Sequence, residues 1–331
     1  MKMDLKEMLA SLYGLGVDGK NFFYDTGLVD ALKVRPAVLS VGNLSVGGTG
    51  KTPVVQKILE MVQSRGISAS VVSRNYKAQS RGVQKVDVNS SEGAFYYGDE
   101  AFLIARSFPS FSVWTGPKKF ITAQVASMQE SSQLLVVDDG FQHRSLHRDF
   151  DIVLLDTTVE ESEDFLLPVG RLREGYSSLQ RASAVILTKV NWSHSEQVEN
   201  LKKKIPSGLP VYELEFHLRP LKPLETGAPV ALVSGIAKPK VFEASIRQLG
   251  FQIREHLIFS DHHPYSVRDR QRILETFRFS GAQQILTTEK DFYKLQTDLE
   301  LAQVLNPVGI QTEFRAEPKE LHVFLDSCHR H

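Results

Sequence analysis

The stretch from Val38 to Val54, V-L-S-V-G-N-L-S-V-G-G-T-G-K-T-P-V, constrains the fold more than any other part of the chain. It opens with an aliphatic run typical of the end of a buried strand. Three glycines then fall within four positions, and Lys51 and Thr52 follow them. After this point apolar residues recur at helical spacing, at Val54, Val55, Ile58, Leu59 and Val62. The stretch therefore predicts a strand, a glycine-rich turn and a helix, which is the arrangement of a phosphate-binding loop.

Backbone N–H groups can close around phosphate oxygens only where no side chain intrudes, and a helix N-terminus adds a partial positive charge. The usual pattern is G-x-x-x-x-G-K-[ST], and here Ser45 occupies its first position. Lys51 is expected to reach the β- and γ-phosphates of a nucleoside triphosphate, and Thr52 to hold Mg²⁺. The residues predicted to bind the nucleotide are Ser45, Val46, Gly47, Gly48, Thr49, Gly50, Lys51 and Thr52.

A second motif follows the continuous aliphatic run Leu134–Val137, which predicts a buried parallel strand. The run ends in Asp138 and Asp139, and an apolar strand followed by an acid is the Walker B arrangement, in which a carboxylate holds Mg²⁺ directly or through water. Two adjacent carboxylates repel each other unless a cation compensates, which favours a metal site over a surface turn. Thr52, Asp138 and Asp139 are therefore the predicted Mg²⁺ ligands.

Strands and helices alternate along the chain, which predicts mainly parallel α/β sheets. A boundary is expected near residues 206–226, where four prolines interrupt the pattern, and Val308–Thr312 is predicted to be an edge strand. Polar residues recur just after the predicted strands, and the carboxyl ends of such strands meet at one edge of a sheet. These residues are Lys51, Arg74, Asp138, Asp139, Lys189, His262 and Lys290.

The composition narrows the class of protein. With 331 residues and 42% hydrophobic side chains, the chain can form two domains or one extended α/β domain. Lys+Arg and Asp+Glu both number 39 and no basic run occurs, so no nucleic-acid partner is expected. The single cysteine, Cys328, cannot form an internal disulfide, which fits a reducing compartment. No stretch approaches the roughly 20 apolar residues of a membrane-spanning helix, and no signal-peptide pattern is visible.

Residues 1–35 precede the first predicted core strand and contain an apolar stripe at helical spacing, followed by an aromatic cluster. Two interpretations stay open: a helix packed on the domain, or an interfacial helix that meets lipid. In the second, the apolar side chains insert and the lysines face anionic headgroups. The inserting residues would be Met8, Leu9, Leu12, Phe22 and Phe23, and the lysines Lys2, Lys6 and Lys20.

Seven blocks carry a family resemblance: V-G-N-L-S-V-G-G-T-G-K-T-P, Y-G-D-E, V-D-D-G-F-Q-H-R, G-R-L-R-E, S-G-I-A-x-P-x-x-F, D-H-H-x-Y and T-E-K-D. In this order and spacing they resemble the tetraacyldisaccharide 4′-kinases, the lipid A 4′-kinases of Gram-negative bacteria. The resemblance extends from about Leu5 to about Leu295. It implies transfer of the ATP γ-phosphate, with Mg²⁺, to the 4′-hydroxyl of a disaccharide 1-phosphate lipid precursor. It also implies a peripheral enzyme at the cytoplasmic face of the inner membrane, and no obligate protein partner is expected.

The resemblance implies a fold of two Rossmann-like, P-loop-type α/β domains with mainly parallel sheets, a short β linker and an N-terminal amphipathic helix. With boundaries read from the sequence, residues 1–35 form the membrane-associating segment and 36–205 the P-loop kinase core. Residues 206–228 form the linker, and 229–331 the smaller C-terminal α/β domain.

The resemblance also assigns site residues. It implies that Asp99 and His262 form a catalytic pair with Asp99 as the base, and that Lys51 and Asp139 act beside them. The Asp138-Asp139 tip and Gln142 match positions near the metal and the reacting phosphate. The residues expected to contact the acceptor substrate are Arg74, Asn75, Tyr76, Gln142, Arg171 and Arg173.

From the residues alone, alternatives remain at the proposed catalytic pair. Asp99 begins a predicted helix, and capping alone would explain an aspartate there. Either His262 or His263 can be the active histidine, and Asp261 could orient an imidazole. A His₂Asp metal site in this segment is disfavoured, because adjacent ligands on a strand or turn usually point different ways.

The sequence leaves open the roles of three further segments. The family usually has a G-Y-G turn where this chain has Asn75-Tyr76-Lys77, and Arg171 occupies a position that is often small or proline. Arg171 and Arg173 could bind the lipid 1-phosphate or form surface ion pairs. The segment T-K-V-N at Lys189 resembles the guanine-reading N-K-x-D but ends in Asn191, so ATP is preferred.

Two classes of function therefore remain in view: a lipid-sugar kinase, and a P-loop regulatory or assembly NTPase that switches a partner. A kinase needs a base for the acceptor and a groove for an amphiphile, whereas a switch needs a residue that positions water. Gln142 could position water, so the local sequence leaves both classes open.

Overall fold

The computed structural model describes residues 5–75 and 78–330. The strands are β1 Ala37–Asn43, β2 Ala69–Arg74, β3 Gln84–Lys85, β4 Ser112–Gly116, β5 Leu134–Asp138, β6 Phe150–Asp156, β7 Ala184–Thr188, β8 Val211–Pro220, β9 Pro229–Ser234, β10 Gln252–Ile258, β11 Gln284–Thr288 and β12 Leu305–Phe314. The helices are α1 Leu5–Asp25, α2 Lys51–Ser64, α3 Gly93–Tyr97, α4 Asp99–Ser107, α5 Lys119–Gln129, α6 Ser195–Lys202, α7 Pro239–Gln248, α8 Val267–Ser280, α9 Glu289–Leu295, α10 Leu299–Val304 and α11 Lys319–Ser327. Short 3₁₀ turns lie at Glu161–Glu163, Tyr176–Arg181, Val190–Trp192 and Cys328–Arg330.

The twelve strands found in the described residues form one sheet in the order β10-β9-β11-β12-β8-β7-β6-β1-β5-β2-β4-β3. Neighbouring strands are parallel except for the β12–β8 and β3–β4 pairs. The antiparallel β12–β8 pair thus joins a parallel group built from the first part of the chain to a smaller parallel group, β9–β11, from the last part. The prediction of mainly parallel α/β sheets joined by a β linker is confirmed.

The position of the last strand, β12, differs from the prediction. Val308–Thr312 was expected to lie at an edge, but β12 runs from Leu305 to Phe314 and pairs with both β8 and β11 inside the sheet. The registers Val308↔Pro220 and Phe314↔Leu214 show that the joining pair is made from two segments far apart in sequence. The boundaries of the linker at residues 206–228 stay a prediction, and β12 supplies the strand that pairs with β8 of this segment.

Strand β1 is buried on both faces, as expected of a strand in the middle of a parallel sheet. Leu39 and Val41 pack on one face with apolar residues of α2, in a cluster that extends to Phe216 of β8. Val38 packs on the opposite face, in a cluster that includes Leu135 of β5 and extends to Trp114 of β4. This packing fixes the carboxyl end of β1, from which the glycine-rich loop leaves the sheet.

Helix α1 is longer than the predicted apolar stripe and takes in the aromatic cluster. Its predicted inserting residues are all exposed: Met8 44%, Leu9 44%, Leu12 58%, Phe22 59% and Phe23 51%. No helix in residues 5–75 and 78–330 is long and apolar enough to cross a membrane. Lys2 lies outside the described residues. Helix α1 thus presents partly exposed apolar side chains, and its association with a membrane stays a prediction.

A substitution at Phe216 tests the packing of β8 against the glycine-rich loop, because the Phe216 side chain is 1% exposed and lies against Gly50. We expect Phe216→Ala to lower the free energy of unfolding by about 3–5 kcal/mol, because it leaves a cavity in the core. Phe279→Ala is the matched control: its ring is 91% exposed, and the change should stay within about 0.5 kcal/mol. Denaturant unfolding of the three proteins measures the difference, and equal midpoints would contradict this packing role.

Candidate active site

The glycine-rich loop between β1 and α2 can be formed only by glycine at two positions. Gly47 and Gly50 have φ values of 106° and 85°, in the left-handed region. A Cβ on Gly47 would lie 2.2 Å from a guanidinium nitrogen of Arg171, and a Cβ on Gly50 would lie 2.6 Å from the Phe216 ring. The loop is therefore enclosed by packing on both sides, and helix α2 begins directly after it at Lys51.

Asn43, at the end of β1, holds the loop together. Its Nδ2 donates to the Ser45 carbonyl at 2.6 Å and to the Thr49 hydroxyl at 2.9 Å. Its Oδ1 accepts from Lys51 Nζ at 3.4 Å, and its own carbonyl accepts from Gln142 Nε2 at 2.9 Å. The side chain of Asn43 thus connects the start of the loop with its end, and its backbone carbonyl connects to the loop that follows β5.

The two carboxylates after β5 have opposite environments. Asp139 has a φ of 55° and lies 3.4 Å from Lys51 Nζ and 3.3 Å from an Arg173 nitrogen. Burial raises the pKa of Asp139, but the charges of Lys51, Lys119 and Arg173 outweigh it and hold the pKa below its usual value. Asp138 is more deeply buried, and this burial raises its pKa.

The residues present fit a magnesium ion. Asp138 Oδ2 accepts from the Ser73 hydroxyl at 3.1 Å, while its Oδ1 is buried without a hydrogen-bond partner. A buried carboxylate oxygen of this kind is costly unless a cation meets it. Thr52 is the second residue of α2 and is buried. Mg²⁺ is usually bound through one or two carboxylates plus substrate phosphates, and Asp138 supplies such a carboxylate.

Sequence reasoning missed Lys119, a lysine that is only 1% exposed. Its Nζ donates to the Asp139 carbonyl and lies 4.0 Å from Asp139 Oδ2. Burial lowers the pKa of Lys119, and the two aspartates oppose this shift. Its position at the start of α5 gave no signal, because a lysine at a helix N-terminus usually faces solvent.

Asp99 and His262 meet across the molecule, as the family resemblance implies. His262 Nδ1 donates to Asp99 Oδ2 at 2.9 Å, although the residues are 163 positions apart. Lys294 of α9 also contacts Oδ2, at 2.6 Å, and was not expected from the sequence. The Asp99 carboxylate therefore contacts residues of the C-terminal part of the chain, and the helix-cap interpretation does not account for these contacts.

The side chains next to His262 in sequence do not share its contact with Asp99. Asp261 Oδ2 is 3.8 Å from His262 Nε2, which is too long for a hydrogen bond. His263 Nε2 instead contacts Asp269 Oδ2 at 3.0 Å, at the start of α8. The three side chains thus make contacts with different partners. His262 has a φ of 62°, the left-handed backbone that turns its ring towards Asp99.

The predicted acceptor-binding residues fall into two groups. Arg74 is exposed at the end of β2, and Asn75 Nδ2 donates to the Ser80 carbonyl at 3.0 Å. Tyr76, and Lys77 beside it, lie outside the described residues. In the second group, Arg173 contacts Asp139 and donates to Gln142 Oε1 at 3.3 Å.

Arg171 lies against the glycine-rich loop. Its guanidinium donates to the Val46 carbonyl at 2.9 Å and to Glu163 Oε2 at 2.9 Å. These contacts support the loop from outside. The predicted contact of Arg171 with the acceptor stays a prediction, as do those of the other five residues.

The T-K-V-N segment supports the same loop. Lys189 Nζ donates to the Gly48 carbonyl at 2.8 Å, and the Thr188 hydroxyl donates to the Thr49 carbonyl at 3.0 Å. Asn191 is fully engaged with the Phe216 backbone: its Nδ2 donates to the carbonyl and its Oδ1 accepts from the N–H, both at 2.9 Å. An amide used in this way is not free to select a guanine base.

The sheet, the glycine-rich loop before α2 and the acidic end of β5 together define a P-loop protein that handles nucleoside triphosphates. A family model described as LpxK, tetraacyldisaccharide-1-P 4′-kinase, matches residues 5–329. A tetraacyldisaccharide 4′-kinase of Bdellovibrio bacteriovorus is 38% identical over 298 residues, covering 87% of this chain and 88% of the relative. One of Koribacter versatilis is 36% identical over 293 residues, covering 87% of each.

A solved structure is also similar: LpxK from Aquifex aeolicus in complex with ATP, at 28% identity and a TM-score of 0.77, over 96% of this chain and 97% of that one. The chain belongs to the tetraacyldisaccharide-1-P 4′-kinase family. It is accordingly a kinase.

The ion pair between His262 and Asp99 predicts a stability that depends on pH. The hydrogen bond to Asp99 raises the pKa of His262, so its contribution is complete below about pH 6.5 and is lost as pH rises through the raised pKa. The pKa of Asp99 is lowered, so its contribution is lost only below about pH 3.8.

We therefore expect His262→Gln to lower the Tm most at about pH 5–6, with a difference from wild type that shrinks towards about pH 9. Thermal unfolding followed by circular dichroism over this range measures it. His329→Gln, at an exposed histidine, is the control and should show no such trend. A Tm difference that is constant from pH 5 to 9 would contradict a charged His262.

Proposed function

We propose that this kinase transfers the γ-phosphoryl group of ATP to the 4′-hydroxyl of a tetraacyldisaccharide 1-phosphate and forms the 1,4′-bisphosphate. The observation that carries the proposal is the Asp99 carboxylate, held by His262 at 2.9 Å and by Lys294 at 2.6 Å. Phosphoryl transfer to an alcohol needs a carboxylate oriented as a base, whereas a nucleotide switch needs a residue free to orient water. Gln142 is engaged at both ends of its amide, with Asn43 and Arg173, which argues against the switch.

In the proposed reaction the oxygen of the 4′-hydroxyl bonds to the γ-phosphorus, the bond from this phosphorus to the β-phosphate oxygen breaks, and Asp99 accepts the hydroxyl proton. The loop amides of residues 45–50 bind the β- and γ-phosphates, and Lys51 stabilises the charge that moves onto the leaving oxygen. Bound Mg²⁺ would neutralise phosphate charge. Thr52 and Asp138 are the residues that would hold it, while Asp139 orients Lys51. His262 remains protonated and keeps the carboxylate in position.

We propose further that α1 docks the enzyme on the inner membrane at its cytoplasmic face. The acceptor carries acyl chains, and each CH₂ buried in lipid is worth roughly 0.8 kcal/mol, so the enzyme must act at the bilayer surface. Met8, Leu12 and Phe22 are spaced to share one helix face and are about half exposed. On the inner side, Lys20 Nζ donates to the Gln142 carbonyl at 3.0 Å and Asn21 to Glu174 at 3.0 Å. A lipid surface on the outer face of α1 would thus lie close to the loop after β5.

The transfer is tested with γ-³²P-labelled ATP and the purified acceptor. We expect label to appear in the lipid with wild-type protein, and Asp99→Asn to lower kcat by on the order of 10²-fold or more with little change in KM for ATP. Asp99→Asn and His262→Ala should be non-additive because the two residues act as one unit. Release of label only as inorganic phosphate would overturn the kinase proposal in favour of the NTPase switch. A normal kcat in Asp99→Asn would overturn its role as base.

Membrane docking is tested by placing charge on the outer face of α1. Leu12→Glu with Phe22→Glu should weaken binding to liposomes of anionic lipid at least tenfold, since burying one such side chain is worth about 1.5–3 kcal/mol. KM for ATP should stay near the wild-type value. Leu299→Glu is the matched control, because Leu299 is 82% exposed on α10, away from α1. Equal sedimentation of the double variant and wild type with liposomes would show that another surface binds lipid.

A further inference from the structure

Lys294 extends the contact between Asp99 and His262 into a three-residue assembly. It lies on α9, and its ammonium reaches the Asp99 carboxylate at the start of α4 with an Nζ–Oδ2 distance of 2.6 Å. Both side chains are nearly buried, with 8% and 10% exposed. A lysine pays a large desolvation cost at such a site unless a specific partner compensates it, so the pairing with Asp99 determines where its charge lies.

The two cations contact the same oxygen. His262 Nδ1 and Lys294 Nζ both approach Asp99 Oδ2, at 2.9 and 2.6 Å. An oxygen contacted by two cations is the poorer proton acceptor of the two, so a proton is taken up more readily at the second oxygen of the same carboxylate. We propose that Lys294 is a positioning residue of the phosphoryl transfer: together with His262 it fixes Oδ2, so that Oδ1 is presented to the acceptor hydroxyl. This inference rests on the proposed role of Asp99 as base.

The electrostatics agree with this geometry. Burial raises the pKa of Asp99, but the hydrogen bond from His262 and the charge of Lys294 outweigh it, so the carboxylate is ionised at neutral pH. The other titratable or charged groups facing it are Lys290 of α9, Glu100 of α4, and Asp261 and Tyr265 of the loop after β10. Lys294 and His262 are the only cations in the described residues that contact Asp99 directly.

Lys290 shows why this role belongs to Lys294 in particular. It lies one turn earlier on α9 and also reaches α4, but its Nζ contacts Glu100 Oε1 rather than Asp99. Both lysines therefore link the same two helices by an ion pair. Only one of them contacts the proposed base, which makes Lys290→Met a matched control for the loss of a link between the helices.

The test compares the pH dependence of kcat/KM for wild type, Lys294→Met, Lys294→Arg and Lys290→Met in the ³²P transfer assay. Removing a cation beside a carboxylate raises the pKa of the carboxylate by about 1–3 units. We therefore expect the acid limb of the pH profile, the range where kcat/KM falls as pH decreases, to lie at least one pH unit higher in Lys294→Met than in wild type. On the plateau of the profile, kcat should fall on the order of 10- to 100-fold because the Asp99 carboxylate loses its orientation. Lys294→Arg keeps the charge and should restore the wild-type acid limb. Lys290→Met should move the limb by much less than Lys294→Met.

The outcomes separate this inference from the assignment of the base. If Asp99→Asn abolishes transfer but Lys294→Met keeps both the wild-type limb and the wild-type kcat, Lys294 does not position Asp99. If Asp99→Asn itself remains active, the base assignment fails first. Equal shifts in Lys294→Met and Lys290→Met would assign the effect to the contact between the helices and overturn the specific role. If Lys294→Met does not fold, Lys294→Arg decides: an acid limb displaced from that of wild type would contradict the proposal.

Discussion

The adjacent carboxylates at the end of β5 place two negative charges side by side, and the surrounding structure compensates them. Asp138 and Asp139 lie at a buried sheet edge, where two like charges cannot persist without compensation. Lys51, Lys119 and Arg173 surround one of them, and they come from the helix after the glycine-rich loop, the start of α5 and the loop before β7. Three separate segments are thereby held at one point. The other carboxylate keeps an unpaired buried oxygen, which is the feature that a divalent cation would complete.

A second cluster of ion pairs lies at the start of α4. Asp99 and Glu100 are consecutive residues at the start of α4, and all of their cationic contacts come from the C-terminal part of the chain. The β8–β12 pair determines how that part meets the first, since it joins the two parallel groups in one sheet. The geometry around Asp99, the proposed base, thus depends on a strand pairing that contributes no side chain to it.

The sequence predicted those parts of the site whose determinants are local. The turn around Gly50 could be read from a strand, three glycines and a helix in one short stretch, and Asp138 from the aliphatic run before it. The contact of Asp99 with His262 came only from the family resemblance, because nothing near either residue signals the other. Lys119 and Lys294 were missed, since a lysine on a short helix gives no sign of burial. The central position of β12 was also missed, because a strand's neighbours depend on pairing with distant segments.

The inner side of α1 has a practical consequence for shortening the chain. Lys20 and Asn21 bind the Gln142 carbonyl and Glu174, and Arg144 donates to the Asn21 carbonyl and to Asp25. These contacts lie in the last two turns of the helix, whereas Met8, Leu9 and Leu12 belong to its first half. The first half of α1 therefore carries exposed apolar side chains, whereas the second half supports the loop after β5. We expect a truncation that ends near residue 16 to keep this support and to lose part of the proposed docking surface.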